Sequence, residues 1–286
     1  MKTSSIKTVR LPSGREIPMI GQGTWRMGEN RTERQAEVDA LRLGLDLGIT
    51  LIDTAEMYGE GGAEIIISEA IAGRRDEVFL VSKIYPHHAC HEGTAQACER
   101  TLKRLKTDRL DLYLLHWRES IPLEETISAF LKLKADGKIL DFGVSNFDLS
   151  DMEDAARIAG GEQIATNQIY YNLEHRGIEF DLMPWCKERG IPLMAYSPLK
   201  SSGDDKHALL GHLALKKIAK AHSATTAQIA LAWLLHMGVV VIPKAVKPEH
   251  VRENLVVADI QLTREDIKSI DKAFPAPNHK VSLAMR

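Results

Sequence analysis

The chain of 286 residues predicts an α/β fold, a (β/α)8 barrel of the TIM type with an N-terminal β-hairpin, organised as one domain over 1–286. Three observations carry this reading. Short apolar runs that end in polar residues recur eight times, stretches of helical period separate them, and no low-complexity linker or charge block divides the chain. Strand, helix, strand repeated eight times implies parallel pairing through right-handed crossovers, which closes into a barrel.

The elements follow in order. KTVRLPSGREIPMI at 7–20 sets a Pro-Ser-Gly turn signal between two short alternating runs, which predicts the hairpin. The eight strand candidates are MIGQGTW, TLIDTAE, VFLVSKIY, LDLYLLHW, ILDFGVSNF, IATNQIYYN, IPLMAYSPL and VVVIPKA. Helices are predicted over Glu33–Leu47, Ala63–Ala72, Thr94–Leu105, Leu123–Ala135, Leu149–Ile158, Phe180–Arg189 and Ala224–His236, most followed closely by a Gly suited to a C-cap. SSGDD at 201–205 reads as an exposed loop.

Composition excludes several classes of protein. Hydrophobic residues make up 44% and charged residues 27%, and the 37 basic side chains nearly cancel the 39 acidic ones, so neither a nucleic-acid partner nor a membrane surface is indicated. The N-terminal segment lacks the apolar run of a signal peptide, and no stretch approaches the roughly 20 apolar residues of a membrane span. Cys90, Cys98 and Cys186 are odd in number and lack CxxC spacing. A reducing, cytoplasmic compartment is the expectation.

Working residues of such barrels sit at the C-terminal ends of the strands. Here Asp53 ends LID, Lys83 ends FLVS, His116 ends LYLL, Ser145 and Asn146 end FGV, Gln168 follows IATN, Tyr196 ends LMA and Lys244 ends VIP. Each alone has a plain structural account as a helix cap, a hydrogen-bonded core group or a solvated cation. Their convergence on one mouth points to a site. Tyr58, five residues after Asp53, joins Asp53, Lys83 and His116 there. A phenol with a reference pKa of about 10 is a slow acid at neutral pH, and a nearby Lys83 cation is expected to lower that value. Asp53 would hold Lys83 charged, and His116 would orient a carbonyl or share its proton. GQGTW at 21–25 does not complete a GxGxxG fingerprint, since position 26 is Arg. His87, His88, Cys90 and His91 lack a second ligand pair at matching spacing, so no metal is expected.

The motifs LIDTAEMYGEGGAE, VSKIY, LDLYLLHW, GVSNF, NQIYYN, AYSPL and IPKAVKPEHVREN, in this order over almost the whole chain, resemble the aldo-keto reductase family. In detail the chain is similar to bacterial members that reduce methylglyoxal and related aldehydes. The resemblance implies NADPH-dependent reduction of small aldehydes and ketones by a tetrad of Asp53, Tyr58, Lys83 and His116, with Tyr58 as general acid. It implies cofactor contacts from Ser145, Asn146 and Gln168 to the nicotinamide amide, from Tyr196 stacking on the ring, and from Ser197, Pro198 and Leu199 along the pyrophosphate. Lys244 would meet the ribose phosphate, Glu253 and Asn254 the adenine, and Gly23, Thr24, Trp25, Ile242, Pro243, Ala245 and His250 complete the cofactor set. Trp25, Tyr58, Tyr85, His116 and Trp117 would wall the substrate pocket. Ala245 and His250 stand where many members carry Ser and Arg, which leaves NADH as a second usable cofactor. The family is often monomeric. Two alternatives remain open at this point: a non-catalytic NADPH-binding regulatory subunit, and a Schiff-base lyase using Lys83.

Overall fold

A computed structural model describes residues 6–200 and 204–286. The hairpin pairs β1 (Thr8–Arg10) with β2 (Glu16–Pro18) in antiparallel register. The barrel strands are β3 (Gly21–Gly23), β4 (Leu51–Asp53), β5 (Phe79–Ile84), β6 (Leu110–Leu115), β7 (Ile139–Ser145), β8 (Asn167–Tyr170), β9 (Leu193–Tyr196) and β10 (Val240–Val241). They form one parallel eight-stranded sheet in sequential order. Its edges meet at an Ile20–Val241 bridge, where the Val241 amide donates to the Met19 carbonyl at 2.9 Å and the Gly23 amide to the Pro243 carbonyl at 3.3 Å. All eight strand candidates are present.

The helices are α1 (Arg34–Asp46), α2 (Gly62–Ala70), α3 (His91–Leu105), α4 (Leu123–Ala135), α5 (Leu149–Arg157), α6 (Leu182–Glu188), α7 (Asp204–Leu210), α8 (Leu213–Ala221), α9 (Thr226–His236), α10 (Pro248–Val256) and α11 (Arg264–Ala273). The seven predicted helices are found, Leu123–Ala135 with the predicted ends and the other six with shifted ones. Helix α3 begins three residues earlier than Thr94, whereas α5 and α9 start at capping boxes of Asp148 with Asp151 and of Thr225 with Gln228. Of the predicted SSGDD loop, 201–203 lie outside the described residues, and Asp204 already opens α7.

Two apolar clusters explain which side chains face the barrel interior. Leu51, Phe79, Val81, Leu112, Leu114, Met194, Val240 and Ile242 pack together inside, and Leu11 and Ile17 of the hairpin close the barrel floor on them. Ile52, Leu80, Ile84, Tyr113, Leu115, Phe142, Val144, Ala195 and Val241 instead belong to the layer between sheet and helices. Side chains alternate along a strand, so the inward parity of Leu51, Val81, Leu114 and Met194 extends to Asp53, Lys83, His116 and Tyr196 at the strand ends. Arg15, at the hairpin, anchors the floor through Asp111 at 3.0 Å and Asp141 at 3.5 Å.

Candidate active site

The strand parity delivers Asp53, Lys83, His116 and Tyr196 to one end of the barrel, and the loop after β4 adds Tyr58. Lys83 Nζ donates to both oxygens of Asp53 at 2.6 Å and to the Thr54 carbonyl at 2.7 Å. Its contact with the Tyr58 hydroxyl is 3.3 Å, and the ammonium also lies 5.0 Å from the centre of the phenol ring. The His116 ring meets the Tyr58 ring edge-on at 5.9 Å. Lys83 is fully buried and Asp53 nearly so. Burial pushes the Asp53 carboxyl up and the Lys83 ammonium down, and each opposes the shift of the other by contact.

The expectation that Lys83 lowers the Tyr58 phenol is overturned. Desolvation holds its pKa well above the ordinary value, and the Asp53 carboxylate adds to the rise. Tyr58 is therefore a neutral hydroxyl throughout the neutral range. His116 is held well below its ordinary value by desolvation first and then by the Lys83 charge, so the ring is neutral. Its Nδ1 is buried and finds no hydrogen-bond partner among the described residues.

The residues of the cofactor set fall into three groups. Ser145, Asn146, Gln168 and Tyr196 converge around Asp53: the Gln168 amide donates to Asp53 Oδ2 at 3.1 Å, and Ser145 Oγ to the Gln168 carbonyl at 2.8 Å. Asn146 donates to the His116 carbonyl at 3.0 Å and to Ser145 Oγ at 3.1 Å, and accepts from the Tyr196 hydroxyl at 2.8 Å. Tyr170 stacks against the Tyr196 ring at 5.6 Å and 21°, a support the sequence reading did not single out. Asn146 and Ser197 both have positive φ, 58° and 47°, so the chain turns sharply at the ends of β7 and β9.

A second group is tied to the barrel itself. Thr24 donates its amide and its hydroxyl to the Asp53 carbonyl, Pro243 accepts from Gly23, and Ile242 packs in the inner core. The third group lies towards α10. Lys244 is exposed, with its ammonium lowered by partial desolvation against the opposing field of Glu37, Glu33 and Glu29. His250 and Glu253 contact each other at 2.9 Å and Asn254 and Ala245 are half-buried, while Ser197 and Leu199, also half-buried, flank the buried Pro198 after β9.

On the substrate side, Trp117 lies 5.0 Å from His116, and Tyr85 meets Trp117 edge-on at 6.1 Å. Trp25 is exposed at the rim and carries Arg26 over its ring at 4.8 Å. The His-Cys stretch at 87–91 gathers no metal-binding group of three ligands among the described residues. A cavity of about 360 Å³ is lined by Tyr170, Arg176, Asp181 and the tail residues Lys280–Ala284 and by none of the tetrad.

A parallel barrel with a buried carboxylate–lysine pair touching a neutral phenol, and a neutral imidazole at the same mouth, defines a barrel enzyme built to donate a proton. The model of the Aldo/keto reductase family matches residues 19–274. Methylglyoxal reductase YeaE of Escherichia coli is 49% identical over 280 residues, covering 98% of this chain and 99% of that protein. Glyoxal reductase of Bacillus subtilis is 37% identical, covering 95% and 94%. A crystal structure of an aldo/keto reductase from Klebsiella pneumoniae in complex with NADP and acetate superposes with a TM-score of 0.95 at 49% identity, covering 99% and 100% of the two chains. The chain belongs to the aldo/keto reductase family and is an oxidoreductase of that class.

Proposed function

We propose that the protein reduces small aldehydes and ketones, 2-oxoaldehydes such as methylglyoxal among them, to alcohols with NADPH. The observation that carries this reading is the Lys83–Tyr58 contact of 3.3 Å beside a neutral His116. The similar proteins named for methylglyoxal and glyoxal reduction support the substrate class, and the NADP-bound neighbour supports the cofactor.

The residues present fit a nicotinamide cofactor. A carboxamide both donates and accepts, and Ser145, Asn146 and Gln168 offer both kinds of group within one cluster. Tyr196, backed by Tyr170, provides a flat support for a ring, and the exposed Lys244 offers a cation for a ribose phosphate. The reduced nicotinamide, when bound, supplies the hydride.

The chain's own residues do the rest. His116 carries its proton on Nε2, because a buried Nδ1 without a partner is tolerated as a lone pair better than as an N–H. Its Nε2–H donates to the carbonyl oxygen and aims the carbon. As negative charge grows on that oxygen, Tyr58 gives up its proton, since an alkoxide is far more basic than a phenolate. Lys83, held ionised by Asp53, stabilises the phenolate left behind. The same ion pair speaks against a Schiff-base role, because an ammonium bonded to Asp53 and to the Thr54 carbonyl has no free lone pair.

The test is NADPH oxidation with methylglyoxal and with an aromatic aldehyde, comparing the wild-type protein with Tyr58→Phe. Turnover lost in the variant with cofactor binding kept supports the reading. Cofactor binding without turnover of a broad carbonyl panel favours the regulatory subunit. We further place the protein in the cytoplasm as a monomer of one domain; no described helix is long and apolar enough to cross a membrane.

A further inference from the structure

Glu56 lies between Asp53 and Tyr58 in sequence, and the reading of the tetrad leaves it without a task. It is a carboxylate only 6% exposed. The backbone around it shows what it does. Beyond the paired residues of β4 and β5, the ladder continues through the Thr54 amide to the Val81 carbonyl at 2.9 Å and the Glu56 amide to the Lys83 carbonyl at 3.3 Å. The next donor, just past the end of β5, is the Tyr85 amide, but the chain after Glu56 has already turned away through Met57 to deliver Tyr58. Glu56 Oε1 takes the place of the missing backbone carbonyl and accepts from the Tyr85 amide at 2.9 Å.

The carboxylate is held from its other side. His88 Nδ1 lies 3.1 Å from Oε1, and the Arg100 guanidinium of α3 lies 3.7 Å from Oε2. One side chain thus joins the loop that carries Tyr58 to the strand end that carries Lys83 and Tyr85. The loop needs such a fixture, since Gly59, Glu60 and Gly61 immediately after Tyr58 all have positive φ.

We propose that Glu56 is a positioning residue of this reductase, a clip that sets the distance between Tyr58 and Lys83 and fixes the Tyr85 ring at the substrate wall. Its side-chain contacts run to Tyr85, His88 and Arg100, none of them a tetrad residue. The proposal rests on the reductase reading above. Reach matters for the clip more than charge. Glu56→Gln keeps an oxygen at the Tyr85 amide, whereas Glu56→Asp keeps the charge and falls one methylene short.

The experiment measures kcat per bound cofactor, KM for methylglyoxal, cofactor Kd, Tm and hydrogen exchange of the Tyr85 amide in wild type, Glu56→Gln and Glu56→Asp. Misplacement of a catalytic group by a fraction of an ångström lowers rate steeply, so Glu56→Asp is expected to lose about tenfold or more in kcat per site, with raised KM and unchanged cofactor Kd. Its Tyr85 amide loses protection, and Glu56→Gln stays near wild type on every readout. A Glu56→Asp protein with wild-type kcat, KM and Tyr85 protection overturns the proposal. So does a fall in Tm alone, which leaves Glu56 as packing. If the wild-type protein reduces no carbonyl, the reductase reading fails, and amide exchange by itself decides whether the clip exists.

Discussion

Lys83 Nζ is 2.6 Å from each carboxylate oxygen of Asp53, and the pair is sealed in the barrel with Lys83 at 0% and Asp53 at 1% exposure. Removing one member leaves the other buried and uncompensated. Lys83→Met is expected to destabilise the fold by about 3–5 kcal/mol, the usual cost of orphaning a buried charge. Combining it with Asp53→Asn should recover part of that loss. Denaturant unfolding of the two singles and the double checks both statements, and additive losses would deny the coupling.

The Tyr58 phenol is held above its ordinary value of 10.0 by desolvation and by Asp53. A pKa raised in the folded state gives stability that is complete below the unfolded value and is lost as pH rises through the folded one. Tyr58 accordingly contributes stability at neutral pH that fades only in the alkaline range above 10.0. The tyrosinate difference spectrum between wild type and Tyr58→Phe should show no ionisation below that pH.

His116 shifts the other way, depressed below 6.5 by desolvation and by Lys83. The unfolded chain takes up a proton below pH 6.5 while the folded one does not, so this contribution is intact above 6.5 and is lost as pH falls towards the folded value. A histidine resonance that does not titrate near neutrality, absent in His116→Asn, is the expected NMR result. The stability of His116→Asn should also fall less steeply on acidification.

Gly23 closes the barrel seam. A Cβ there would sit 2.5 Å from the Ile242 carbonyl oxygen, a backbone atom that cannot step aside without opening the contact between β3 and the chain after β10. Gly23→Ala should cost about 1–3 kcal/mol, the range of overpacking in a fixed site. A lower denaturation midpoint with an unchanged slope is the expected outcome.

Much of the fold was legible because a parallel barrel strand is buried on both faces and reads as a short apolar run with a polar end. VFLVSKIY and LDLYLLHW are such runs, and they became β5 and β6. The stretch at 213–221, now α8, was not singled out, although its apolar Leu215, Ile218 and Ala219 are buried at helical spacing. Tyr170 drew attention only as part of NQIYYN, since nothing local says that its ring backs Tyr196. Glu56 was likewise invisible. A charged residue in a loop reads as solvated, and its burial depends on α3 bringing Arg100 and on the turn after Tyr85 bringing His88.

The sequence by itself determined the strand count, the order of the barrel strands and which polar residues stand at strand ends, because those depend on local periodicity and on alternation along each strand. Only the tertiary structure decided how those groups share their charge. The Tyr58 phenol is raised by desolvation and by the Asp53 carboxylate, with Lys83 2.6 Å from Asp53 and 3.3 Å from the phenol oxygen, an arrangement that no local pattern in the sequence sets.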